Sequence, residues 1–66
     1  MKYPIGLKMT WLFADNPEDI YVIDGYTQDD KYIVYVADKN GVRYAAQKTL
    51  VTENQLDELI VTIIAI

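Results

Sequence analysis

The 66-residue chain contains no cysteine, no histidine and no serine. Without cysteine there is no disulfide to staple a small domain and no thiolate to hold a metal or attack a carbonyl. Without histidine the commonest general base and metal ligand is gone as well. Nucleophilic triads and the usual zinc sites are therefore excluded, and Asp, Glu, Lys, Tyr and Thr are left for chemistry. A carboxylate pair still suits glycosidic or metal-assisted reactions, but it needs a cleft of roughly 300 Å³ or more, for which so short a chain has little material. The expectation is a protein with no catalytic residues, no cofactor and no metal. The loop oxygens of Asp15, Asn16, Glu18 and Asp19 are the nearest approach to a Ca²⁺ site and match no EF-hand spacing.

Positive charge is also scarce, with six Lys and Arg against ten Asp and Glu and a net charge of −4. Lys2, Lys8, Lys31, Lys39, Arg43 and Lys48 each stand alone, so there is no basic stripe for a phosphate backbone or an anionic membrane surface. The longest apolar run, Leu59 to Ile66, falls far short of the ~18 residues that span a bilayer. Lys2 followed by Met9 to Ala14 is a poor signal peptide, because Lys8 interrupts it and no small-residue cleavage pattern follows. The reading is a cytoplasmic protein with neither a membrane nor a direct nucleic-acid partner.

Of the residues, 52% are apolar and 24% charged, enough to fold as a single domain over 1–66. Leu7 to Phe13, after Gly6, alternates with the period of a half-buried strand. Asn16-Pro17 marks a loop. Ile20 to Tyr26 reads as a second strand bulged at Asp24-Gly25, and Gln28 to Lys31 as a polar turn. Tyr32 to Ala37 is the third strand, apolar on both faces. Asn40-Gly41 signals a type I′ hairpin into a fourth strand, Val42 to Gln47. Thr52 and Gln55 fit a capping box. Beyond it, period and propensity disagree: Leu56, Leu59, Ile60, Ile63 and Ile64 have helical spacing, whereas the β-branched run favours a strand. A helical turn over Thr52 to Glu58 followed by a closing strand, Leu59 to Ala65, is preferred to one continuous helix. The fold class is mostly β, a small barrel of about five strands with a short helical turn before the last.

Gly6-Leu-Lys-Met-Thr-Trp-Leu-Phe13, Asp19-Ile-Tyr21-Val-Ile-Asp, Lys31-Tyr-Ile-Val-Tyr-Val36, Asn40-Gly41 and Leu50 together resemble small SH3-like barrels of the Tudor and KOW kind, over roughly residues 6 to 53. Tudor domains hold methylated Lys or Arg in an aromatic cage, where a desolvated cation meets ring faces. The resemblance places Phe13 and Tyr21 on cage positions. Val36 and Lys39-Asn40 depart from the pattern, standing where further rings belong, and Phe13 with Tyr21 equally suit the role of capping the barrel end.

Eight aromatic residues exceed what a small barrel encloses. Tyr32, Tyr35 and Tyr44 of the central hairpin are therefore candidates for a contact face, or for cross-strand pairs that stabilise the hairpin. With Phe13 and Tyr21 they complete the expected binding residues. The uncharged C-terminal run would aggregate if left bare, so burial, docking or a homodimer through that segment is expected. The functional expectation is a non-catalytic protein-interaction module with a protein partner, of the small stand-alone kind that phages carry. The alternative is an acidic inhibitor imitating nucleic acid through Asp15, Glu18, Asp19, Asp24, Asp29 and Asp30.

Overall fold

Lys8, Met9, Thr10 and Trp11 form the first strand, β1 (Lys8–Trp11), with Met9 fully buried and Trp11 half-buried two positions on. The computed structural model describes residues 1–44 and 48–65. β1 is shorter than its sequence pattern at both ends. The Leu7 N–H turns back to the Pro4 carbonyl at 3.2 Å, and Leu12 gives its N–H to Leu59, while Phe13 leaves the sheet. Gly6 enters the strand at φ 91°, a left-handed value that side chains resist, and donates its N–H to the Ile23 carbonyl at 2.8 Å.

The loop before β2 (Ile20–Tyr26) closes as Asn-Pro chemistry dictates: Asn16 accepts the Glu18 N–H on its side chain and the Asp19 N–H on its carbonyl. β2 pairs antiparallel with β3 (Tyr32–Ala37), and the register skips from Ile23 opposite Val34 to Gly25 opposite Ile33. Asp24 is thus the extra residue of the expected bulge. Asp30, at φ 63°, makes the turn between these strands.

The return from β3 differs from the type I′ hairpin. Asp38 accepts the Asn40 and Val42 N–H groups on one carboxylate oxygen, each at 2.9 Å, and its carbonyl accepts Gly41 N–H. That arrangement leaves the positive φ to Gly41 alone, at 85°, as in a three-residue loop with a glycine bulge. The expected fourth strand, Val42 to Gln47, is not formed over its described part, since only a bridge between Ala37 and Arg43 follows the turn; residues 45–47 lie outside the described residues. The ladder resumes at β4 (Thr49–Val51), with Thr49 opposite Val34 and buried Val51 opposite Tyr32. From the bridge to that pair, six steps along the returning chain answer three along β3, so the two pairings do not share one register.

Thr52 and Gln55 form the capping box, each side chain accepting the other's backbone N–H, and start α1 (Glu53–Leu59). One turn later Leu56 is fully buried. The β-branched run then ends the helix, and β5 (Ile60–Ala65) lies antiparallel beside β1. A helical turn followed by a last strand is thus what the sequence predicts, with the boundary one residue later, since Leu59 ends the helix instead of opening the strand.

The five strands make one antiparallel sheet in the order β4-β3-β2-β1-β5. It does not close: among the described residues no ladder joins β4 to β5, so the expected barrel is an open sheet. The core is instead completed by the helix, Leu56 packing with Leu7, Met9, Ile23, Tyr32, Val34 and Val51. A three-residue β4 followed at once by α1 leaves little strand for closure.

Candidate interaction surface

The five aromatic residues expected to bind are distributed over three places. Tyr32 is fully buried on the core face of β3, so it is removed from any contact surface. Its ring meets those of Tyr26 and Tyr3 edge-on at 5.4 and 5.8 Å, and its hydroxyl donates to Glu53 at 2.9 Å. It also accepts the Tyr3 N–H at 3.0 Å. Tyr26 lies directly opposite Tyr32 in the ladder, so this is a cross-strand pair that stabilises the hairpin. Tyr35 is half-buried on the other face of β3 beneath the Arg43 guanidinium, 4.5 Å from its ring centre.

Phe13, Tyr21 and Tyr44 gather at one end of the sheet, where the β1–β2 and β3–β4 connections meet. Tyr44 donates its hydroxyl to the buried Asp19 carboxylate at 2.6 Å, which joins the two connections. This bond pushes the Tyr44 phenol up to about 12. Tyr21 stacks flat on Trp11, centroids 4.1 Å apart and planes within 5°, and burial raises its phenol. Its ring partner is therefore Trp11, and no contact between the Phe13 and Tyr21 rings occurs among the described residues. Phe13 is 82% exposed.

The larger apolar surface comes from residues that the aromatic reading passed over. Leu12 is held beside Leu59 by its N–H bond at 2.8 Å, so Leu12 and Phe13 leave β1 at the end where β5 begins. Along β5, Val61, Ile63 and Ile64 are 58%, 52% and 49% exposed. The ladder accounts for two of them: Trp11 pairs with Ile60, Thr10 with Thr62, Met9 with Ile63 and Lys8 with Ala65, which leaves Val61 and Ile64 as bulged, unpaired residues, while Ile63 is paired but lies on an edge strand. The unbroken β-branched run signalled the strand but not its two bulges.

The acids of the first half are largely engaged within the chain. Lys48 meets Asp24 at 2.6 Å, Lys31 meets Asp29 at 3.5 Å, and Lys39 meets Glu18 at 3.6 Å. Hydrogen bonds from Lys48 and Thr27 hold Asp24 and Asp29 below the ordinary carboxylate value. Glu53 is lowered by the Lys2 N–H and Tyr32, and Asp57 by Tyr3 and Lys2. A general acid at neutral pH needs the opposite shift. Among the described residues no group of three or more Asp or Glu is placed to hold a metal, and no helix is long and apolar enough to cross a membrane.

Two concavities are larger than the chain length suggested. One, about 630 Å³, is a solvent-open hollow between Met1, Lys2, Asp30, Thr52, Glu53 and Asn54. The other, about 300 Å³, lies on the outer sheet face beside Val22, Tyr35 and Lys39. In the first, the Glu53 carboxylate is already bound to the Lys2 N–H and the Tyr32 hydroxyl. Compared with known proteins, the chain matches no family model, no curated protein and no solved structure.

Proposed function

We propose that this chain is a non-catalytic protein-interaction module whose contact surface is the apolar strip from Leu12 and Phe13 along β5 through Val61, Ile63 and Ile64. One observation carries the reading: the core is complete without these five side chains, yet each remains about half exposed or more. They come from two segments brought side by side by the β1–β5 ladder. Exposed apolar side chains in this number on a small acidic domain are costly unless a partner covers them.

The SH3-like kinship belongs to the same proposal. It is supported by the order of the elements: four meandering strands, a short helix that buries a leucine, and a last strand laid beside the first. A nucleic-acid mimic would instead display unpaired carboxylates, whereas Glu18, Asp24 and Asp29 are spent on lysines of the chain.

The test compares wild type with a Leu12→Ser/Phe13→Ser/Ile63→Thr variant for association with itself and with proteins of a cell lysate at low and high salt. The expected outcome is salt-tolerant association that the variant loses while keeping a cooperative thermal transition. A wild type that associates no more than the variant at either salt concentration would sink the reading.

A further inference from the structure

Resting on that interaction surface, we infer that the occupant of the β5 edge is a second copy of this chain, added by antiparallel strand pairing so that two five-stranded sheets become one of ten. The sheet has two edges, and they are not alike. β4 is three residues long and runs straight into α1. β5 is six residues long and carries no charge and no proline, the devices that normally protect an edge from pairing. Its two bulges bend it, but they do so by exposing Val61 and Ile64.

Three features select a copy of the same chain as the partner. A two-fold axis through β5 is self-complementary: antiparallel pairing places like against like near Thr62, and Thr–Thr and β-branched pairs are favoured across strands. The chain has a net charge of −4, so copies repel at most surfaces, but the six residues of β5 bring no charge to the joint. A standard interface takes about 800 Å² from each partner, under a fifth of the 4413 Å² this chain exposes.

The absence of native cysteine makes the experiment clean. Val61, Thr62, Ile63 and Ile64 are replaced by Cys one at a time, with Gln28→Cys in the distant β2–β3 turn as control, and each protein is oxidised at equal concentration. Sedimentation of the unmodified chain is measured alongside. The expected result is a concentration-dependent dimer, with rapid disulfide formation at one or two β5 positions and tenfold or more slower cross-linking at Gln28→Cys.

A wild type that stays monomeric at about 1 mM overturns the inference, as does a dimer in which no β5 cysteine outpaces the control. If the chain is monomeric yet the triple surface variant loses a heterologous complex, the interaction surface stands and the second copy does not. If neither self-association nor heterologous binding depends on the strip, both fail.

Discussion

The Tyr44 hydroxyl and the Asp19 carboxylate, 25 positions apart in the chain, meet at 2.6 Å and fasten the β3–β4 connection to the start of β2. Asp19 is 7% exposed, and Tyr44 is its side-chain donor. Because the bond is made by the protonated phenol, folding raises the Tyr44 pKa from 10.0 to about 12. A raised pKa means the folded state holds its proton longer than the unfolded chain does. The stabilisation is therefore complete below pH 10 and is lost as pH climbs through about 12. Tyr44→Phe should lower the melting temperature at neutral pH and flatten the alkaline loss of stability. Thermal melts from pH 8 to 12 would check this, and parallel alkaline limbs for the two proteins would refute it.

On the acid side the sign reverses. Glu53 and Asp57 lie below their ordinary values of 4.5 and 3.8, because the N-terminal segment and two tyrosines donate to their ionised forms. Lys2 and Tyr3 reach Asp57, while the Lys2 N–H and Tyr32 reach Glu53. Their contribution is present above those ordinary values and disappears as pH falls through the lowered ones. Urea midpoints between pH 7 and 3 should fall below about pH 4.5 in the wild type, and fall less in Glu53→Gln/Asp57→Asn. Added salt should weaken the exposed Lys2–Asp57 pair specifically.

What was legible in the sequence was local. The Asp24 bulge, the Asn16-Pro17 turn, β3 and the Thr52–Gln55 box each depend on residues a few positions apart, whose chemistry decides the backbone without reference to the rest of the chain. The misread features depend on distant partners. Val51 fixes β4 by burying against Tyr32, a register that a hairpin rule applied at Asn40-Gly41 has no means of locating. Tyr32 looked like a surface ring because both faces of β3 are apolar; its burial follows from Tyr3, Tyr26 and Glu53 arriving from three other segments. The same holds for the site. The exposed C-terminal run was readable as a hazard, but its junction with Leu12 and Phe13 exists only through the β1–β5 ladder.

Gly41 tests the turn that replaced the expected hairpin. It sits at φ 85°, and a side chain attached there would project into open space, so a substitution meets backbone strain rather than a clash. Gly41→Val should cost about 1–2 kcal/mol, whereas Gly41→Asn should cost clearly less, because asparagine tolerates the left-handed region. Urea denaturation of both variants would decide it, and equal losses would show that strain at this position is not what matters.

Leu56 is where the helix takes over the work of closing the core. It is fully buried among residues of β1, β2, β3 and β4, and its position depends on the capping box four residues earlier. Leu56→Ala removes the contact and leaves a cavity, for a loss of about 2–5 kcal/mol. A domain of this length has roughly 3–10 kcal/mol in total, so the variant should be partly or wholly unfolded at room temperature. Leu50→Ala removes the same atoms from a side chain that is 54% exposed on β4, and should change stability by about 0.5 kcal/mol or less. Circular dichroism with urea denaturation distinguishes the two. If the Leu56 and Leu50 variants lose stability equally, the helix does not fill the core of this open sheet, and the strands must be held together in some other way.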